Sequence, residues 1–157
     1  MGLKFKDMAV YMMGTYATMI FAKIIAGYVA DKIGRRAVFA FGTMGTALFI
    51  PVVVYMHTPE NIGFLMITFG FLYGIPYAIN ATYLTESFPT AVRGTAVGGA
   101  YNIGRIGAIF APLAIGYLAM QGSIGTGLLL MGAAYFFCGL IPALLIKDRL
   151  YDPQKAE

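Results

Sequence analysis

The chain has 157 residues, of which 59% are hydrophobic and only 11% are charged. Because about one quarter of the residues in a soluble domain are charged, this composition excludes an ordinary soluble protein and indicates an all-α integral membrane protein. The formal net charge of +4 is concentrated in short loops and in the tail, a pattern typical of membrane topology and not of nucleic-acid binding. The single cysteine, Cys138, excludes a disulfide framework within the chain.

Five stretches are long enough to cross a bilayer, which takes about 20 mainly apolar residues. They cover residues 8–30, 37–56, 62–84, 94–120 and 124–146, and a tail follows over residues 147–157. We therefore predict a single transmembrane domain, 1–157, of about five helices. The first stretch contains Lys23 and no small-residue cleavage site, so we expect it to remain as a helix and not to be a signal peptide.

The first stretch carries a positive charge near the middle of the membrane. Lys23 precedes Asp31 by two helical turns, about 12 Å along a helix. A charge at the bilayer centre costs about 2.5–3.5 kcal/mol, so it should face a cavity or a partner. Tyr16 lies on the same helix face, at a spacing of seven residues. Both are candidate substrate-binding residues, and structural pairing with other helices is the alternative.

The loops alternate in charge along the chain. Residues 31–36 are basic, 57–61 contain no Lys or Arg, the next loop ends at Arg93, and the tail is basic again. The positive-inside rule places the loops around Arg35 and Arg93, and the C-terminal tail, in the cytoplasm. We expect a multi-pass protein of the inner or plasma membrane.

The third and fourth stretches supply further polar candidates. Tyr73, Tyr77 and Asn80 lie on one face around Pro76, and interhelical hydrogen bonding or aromatic packing is the alternative role for the two tyrosines. Asn102 precedes Arg105 by three residues, and Arg105 lies about three turns into its span. No Asp or Glu falls inside a span to pair with Arg105 or Lys23. Small residues permit close helix packing, and tight contacts are therefore predicted at Gly94, Gly98, Gly99, Gly104 and Gly107.

Two loops carry motifs of a known family. Residues 27–36 resemble the Gly-x-x-x-Asp-x-x-Gly-Arg-Arg loop of the major facilitator superfamily, and residues 85–95 resemble its Glu-x-x-Pro-x-x-x-Arg-Gly loop. The motifs occur in the family's order, with one helical hairpin between them. The resemblance implies a partial half-bundle, helices eight to twelve of a twelve-helix transporter. Residues 101–105 are similar to the eleventh helix of proton symporters for aromatic and sialic acids.

The resemblance also implies a cytoplasmic latch that holds one access state. Asp31 could meet both Arg93 and the N-terminus of the span near Gly94, where partial positive charge favours an anion. Ordinary interfacial salt bridging is the alternative. The residues assigned to this latch are Gly27, Asp31, Gly34, Arg35, Arg36, Glu86 and Arg93.

The function implied is that of a fragment of a secondary active transporter, a proton-coupled symporter of small organic anions that works by alternating access. Its expected partners are an organic anion with a proton, the lipid bilayer, and a missing N-terminal half or another membrane protein. No enzyme activity, cofactor, metal or nucleic acid is expected, because no motif for them is present.

Two alternatives stay open at this point. A sugar or polyol transporter of the same superfamily shares the second loop motif, although two basic residues within the spans argue against it. A truncated membrane protein that acts only with partner helices would explain the odd number of spans. Transport by these 157 residues alone is not expected.

Overall fold

The computed structural model describes residues 5–121 and 123–145, so the predicted tail over 147–157 lies outside the described residues. A helix lies at each of the five predicted positions, as a chain in lipid requires, because only internal hydrogen bonds satisfy its backbone there. The helices are α1 (Phe5–Ile33), α2 (Arg35–Met56), α3 (Ile62–Ser87), α4 (Arg93–Gln121) and α5 (Ile124–Leu145).

Over the described residues, four helices are long and apolar enough to cross a membrane: α1, α2, α3 and α5. The remaining helix, α4, is 29 residues long, and its assignment as a fifth span stays a prediction. The structure therefore supports four of the five predicted membrane spans.

A single glycine separates α1 from α2. Gly34 has a φ of 100°, a conformation that glycine adopts without the steric cost of a side chain. Its amide donates to the carbonyl of Ala30 at 3.0 Å and so satisfies one of the last carbonyls of α1. The chain can then reverse in one residue, which brings the basic start of α2 beside the acidic end of α1.

The closest helix pair is α1 and α3, which run parallel. Gly70 lies against Thr15, and Gly74 lies against Met19 and Ala22. The Thr15 hydroxyl is 3.2 Å from the carbonyl of Met66, to which it can donate across the interface. Small residues allow this approach, since packing and interhelical hydrogen bonds drive helix association in lipid.

The second interface places α2 between α3 and α5. Gly42 of α2 lies against Ile75 and Pro76 of α3, and Gly139 of α5 lies against Thr43 of α2. Thr43 is buried, and its hydroxyl donates to the carbonyl of Phe39 at 2.8 Å, within its own helix. The glycines that permit close packing therefore lie in α2, α3 and α5.

The expectation of tight contacts along the first half of α4 is wrong within this chain. A Cβ atom at Gly94, Gly98, Gly99, Gly104 or Gly107 would meet no atom of another described element within 4 Å. The physical reason is position: α4 lies at the edge of the bundle, packs on α5 and contacts α3 only slightly. Its glycine-rich half faces away from the other helices.

Replacing Gly70 by alanine should destabilise the bundle. An added Cβ would lie 2.5 Å from the backbone oxygen of Thr15, so the helices must separate, and overpacking of this kind costs about 1–3 kcal/mol. The free energy of unfolding in mixed micelles, followed by the near-ultraviolet circular dichroism of the tyrosines, measures the loss. Gly98→Ala, where an added Cβ meets no atom within 4 Å, is the matched control and should leave this free energy unchanged or raise it slightly, because alanine favours a helix. Equal effects of the two substitutions would contradict the packing described for α1 and α3.

Candidate functional site

A lysine and a tyrosine meet where α1 packs on α3. The Lys23 ammonium nitrogen lies 5.7 Å from the centroid of the Tyr77 ring. A cation over an aromatic face is attracted by the ring's negative quadrupole, and this contributes about 0.5–2 kcal/mol depending on solvation. Lys23 itself is exposed, so its remaining hydrogen-bond donors are available to a ligand.

Further rings extend this contact into an aromatic wall. Tyr73 lies next to Tyr77, with ring centroids 5.2 Å apart. Phe69 and Tyr135 stack on Tyr73 at 5.6 Å and 5.9 Å. We call Lys23, Phe69, Tyr73, Tyr77 and Tyr135 the Lys23 cluster. It combines one positive charge with a continuous aromatic surface.

Tyr135 was not anticipated in this place. From the sequence it is best explained as an interface or packing residue of α5, because nothing in its spacing relates it to Tyr73. Its ring bridges to Tyr73 although the backbones of α3 and α5 do not pack closely in the described structure. The contact forms because the two tyrosine side chains are long enough to meet between these helices. Tyr16, the other predicted residue of α1, is exposed and lies near Tyr73.

Asn80 lines a cavity between α2 and α3. It is exposed and lies with Arg36, Phe39, Tyr83 and Leu84 around a space of about 200 Å³ between α2 and α3. This cavity is one helical turn beyond Tyr77, toward the loop that joins α1 to α2. Asn80 thus lies beside this cavity, one helical turn from Tyr77 of the Lys23 cluster.

The two predicted binding residues on α4 lie apart from the Lys23 cluster and from the cavity near Asn80. Every residue from 101 to 110 is exposed, including Asn102 and Arg105. Among the described residues, Arg105 has no hydrogen bond or ion pair. The structure of this chain thus brings together Lys23, Tyr73 and Tyr77 with Tyr16 nearby, and it leaves Asn102 and Arg105 open.

At one end of the bundle, Arg35 binds two carboxylates. Its Nη1 atom lies 2.6 Å from Asp31 Oδ1, and its Nε and Nη2 atoms donate to the two oxygens of Glu86 at 3.2 Å and 2.9 Å. A bidentate guanidinium–carboxylate pair is among the strongest side-chain contacts. The side chains are unequally exposed, at 15% for Arg35, 31% for Glu86 and 64% for Asp31. Glu86 therefore makes the better shielded contact.

This arrangement differs from the expected partner of Asp31. Asp31 pairs with Arg35, whereas Arg93 donates from Nε to the carbonyl of Phe88 at 3.3 Å, within its own loop. The tight turn at Gly34 brings Arg35 back to Asp31, while α4 begins at the edge of the bundle. Arg36 donates to the carbonyl of Ala143 and ties α2 to α5.

The remaining latch residues have different surroundings. Gly34 makes the turn, and a Cβ at Gly27 would meet no atom of another element within 4 Å.

Within the part of the chain that the structure describes, no group of three or more His, Cys, Asp or Glu could hold a metal ion. The arrangement can attract and orient an anion and can hold helix ends together through ion pairs.

Comparison with known proteins identifies the family. The family model of the Major Facilitator Superfamily matches residues 2–156. The chain is 62% identical over 156 residues to the cis,cis-muconate transport protein of Acinetobacter baylyi, covering 99% of this chain and 38% of that protein. It is 26% identical over 115 residues to the sialic acid transporter NanX of Escherichia coli, covering 71% of this chain and 28% of that protein.

A mammalian relative is also similar. Solute carrier family 22 member 16 of Bos taurus is 28% identical over 143 residues, which cover 86% of this chain and 24% of that protein. No solved structure gives a significant match. The chain spans well under half the length of these relatives. With its long apolar helices, it is a multi-pass membrane protein that belongs to the Major Facilitator Superfamily.

Proposed function

We propose that the chain forms part of a secondary active carrier for small organic anions, in particular carboxylates, that works by alternating access. The observation that carries this proposal is Lys23, an exposed cation of α1 that lies over the Tyr77 ring of the neighbouring helix α3. Among the described residues it has no carboxylate partner within salt-bridge distance. The similarity to a protein named for cis,cis-muconate transport supports a carboxylate as the substrate.

The proposed binding mode follows from the chemistry of the Lys23 cluster. The ammonium group attracts a carboxylate, and the rings of Tyr73 and Tyr77 offer a flat surface to an unsaturated carbon chain. Tyr16, Asn80, Asn102 and Arg105 are the further substrate-binding candidates. Substrate sites in such carriers lie near the midplane between the two halves of the protein.

The rest of the carrier is a proposed partner, together with the lipid bilayer. Arg105 and the open glycine-rich half of α4 support packing against helices outside these 157 residues. Proton coupling is part of the proposal, and the proton-carrying acid would belong to those helices.

We place the protein in the inner or plasma membrane, with the C-terminus in the cytoplasm, because the loop at 31–36 is basic.

The ion pairs at the end of the bundle would serve as the latch. Arg35 at the start of α2 forms ion pairs with Glu86 at the end of α3 and with Asp31 at the end of α1. Gly27, Gly34, Arg36 and Arg93 complete the proposed latch. Breaking the contact between Arg35 and Glu86 would free the ends of these helices to move apart, as alternation of access requires.

A chimera tests the proposed function. This chain should replace the corresponding segment of the Acinetobacter baylyi cis,cis-muconate transport protein and restore uptake of radiolabelled muconate in cells that lack the carrier. Lys23→Gln or Arg105→Gln should then raise KM at least tenfold, because a hydrogen bond to a charged group contributes about 1.5–3 kcal/mol. Lys6→Gln, an exposed change at the start of α1, is the control and should leave KM unchanged. A chimera that reaches the membrane but takes up no muconate would contradict the proposal.

The aromatic wall can be tested in the same chimera. Tyr77→Phe keeps the ring under Lys23 and should leave KM within about twofold of the unmodified chimera. Tyr77→Leu removes the flat surface offered to the unsaturated carbon chain and should raise KM about fivefold, the factor that corresponds to about 1 kcal/mol of lost contact between ring and substrate. Measured uptake as a function of muconate concentration gives both values. If Tyr77→Phe were as damaging as Tyr77→Leu, the hydroxyl and not the ring face would be the important group.

The two carboxylates of the latch should differ in strength. Glu86→Gln should lower the free energy of unfolding in mixed micelles by about 1.5–3 kcal/mol, because it removes a charge from a bidentate and partly shielded pair. Asp31→Asn should lower it by about 0.3–0.5 kcal/mol, as is typical of exposed pairs. Measuring Arg35→Gln alone and in combination with each of these variants gives the coupling energies of Arg35 with Glu86 and with Asp31. Stronger coupling of Arg35 to Asp31 than to Glu86 would refute this assignment.

A further inference from the structure

The ring of Tyr135 brings α5 into contact with the aromatic wall. Tyr135 stacks on Tyr73 of α3, with ring centroids 5.9 Å apart and ring planes 30° from parallel. Phe69, one helical turn before Tyr73, stacks on the same ring at 5.6 Å and 13°. Aromatic pairs at such separations attract each other beyond the effect of burial. Tyr73 therefore has one near-parallel neighbour in its own helix and a second one in α5.

The backbone of α3 supports these rings less firmly than an uninterrupted helix would. Pro76 lies inside α3, between Tyr73 and Tyr77. A proline has no N–H to donate to the carbonyl four residues earlier, which here is that of Leu72. Helices kink at such positions. The relative orientation of the Tyr73 and Tyr77 rings, whose planes are 47° apart, therefore depends in part on contacts from outside α3.

Tyr135 reaches the charged end of the wall only through other rings. Lys23 lies over Tyr77, which is exposed. Tyr77 adjoins Tyr73, and Tyr73 adjoins Tyr135, which is partly buried. The backbones of α3 and α5 do not pack closely in the described structure, so the ring of Tyr135 can be removed without opening a helix interface. An effect of Tyr135 on a ligand at Lys23 would thus pass through Tyr73.

We propose that Tyr135 is a positioning residue that fixes the plane of the Tyr73 ring and, through it, the flat face of the aromatic wall beside Lys23. This inference rests on the proposed function, since it assigns to that site a preference for planar, conjugated carboxylates. A conjugated carbon chain lies flat against aligned rings, whereas a saturated chain gains less from their alignment. Tyr135 therefore determines selectivity without touching the substrate.

Selectivity between two dicarboxylates of equal chain length tests this role in the muconate-transporting chimera. Adipate is the saturated counterpart of muconate and serves as a competitor of muconate uptake. Tyr135→Leu should raise KM for muconate about threefold, as the loss of an aromatic contact allows, and should leave the inhibition constant of adipate and the maximal uptake rate unchanged. Tyr135→Phe keeps the ring and should retain the KM of the unmodified chimera.

Two comparisons distinguish positioning from a general loss of packing. Phe137→Leu removes an exposed ring of α5 whose printed contact is with Phe136 and not with the wall, and it should leave both constants unchanged. In a Tyr73→Leu chimera, Tyr135→Leu should have no further effect on KM, because the ring through which it acts is absent. Equal weakening of muconate and adipate by Tyr135→Leu, or a full additional effect in the Tyr73→Leu chimera, would overturn the proposal.

The orientation of Tyr73 can also be measured without transport, in the 157-residue chain in mixed micelles. Near-ultraviolet circular dichroism reports rings that are held in fixed packing. Tyr135→Leu should reduce this signal at least about twice as much as Tyr117→Leu, because it frees Tyr73 in addition to removing one ring. Tyr117 is exposed and has no ring contact among the described residues. Equal losses at unchanged helix content would refute the positioning of Tyr73, whereas a chimera without muconate uptake would contradict the proposed function instead.

Discussion

The parallel packing of α1 on α3 determines where the charged and aromatic groups of this protein lie. Thr15 fits against Gly70 and Ala22 fits against Gly74. With this register, Lys23 reaches the ring of Tyr77. Sliding α1 by one helical turn would move Lys23 about 5.4 Å along the pair and would carry the loop that holds Arg35 away from Glu86. The contact between α1 and α3 thus positions both the candidate site and the candidate latch.

Small residues rather than large apolar ones stabilise this register. Lipid is as apolar as a leucine side chain, so burying more hydrophobic surface between helices brings little gain. Glycine instead brings the two backbones close enough for side-chain hydroxyls to cross the interface. Thr18 illustrates this, since its hydroxyl lies 3.1 Å from the carbonyl of Ile67 on α3. Such contacts average about 0.6 kcal/mol each in membranes, and the geometry of the interface makes them specific.

The sequence predicts the helices well because a spanning helix leaves a strong compositional signal. The ends are less well predicted: α1 continues to Ile33 and α3 to Ser87, past the apolar limits at residues 30 and 84. Polar residues can prolong a helix beyond the hydrocarbon region, where composition no longer indicates its end. Glycine content also fails as a guide to packing in α4, because a glycine permits a close approach but does not require that a neighbour be present.

The candidate site shows a similar limit. Helical periodicity indicates which residues share a face, and Tyr73 and Tyr77 do lie side by side. It does not indicate which helices are neighbours, so Tyr135 could not be assigned to the Lys23 cluster, and Asn80 could not be assigned to the cavity near Arg36. The pairing of Asp31 with Arg35 likewise could not be predicted from helical periodicity, because it depends on how sharply the chain turns at Gly34.

The two basic residues within the predicted spans differ in how far the described structure compensates the cost of their charge. A cation at the bilayer centre costs about 2.5–3.5 kcal/mol on insertion scales, and a well-placed aromatic face can return up to about 2 kcal/mol. Lys23 has such a face in Tyr77, 5.7 Å from its ammonium nitrogen, so part of its cost is offset before any ligand arrives. Arg105 has no compensating contact among the described residues of α4. Within the described residues, Arg105 therefore leaves more of the cost of its charge uncompensated than Lys23 does, so the proposed anion would offset more of that cost at Arg105.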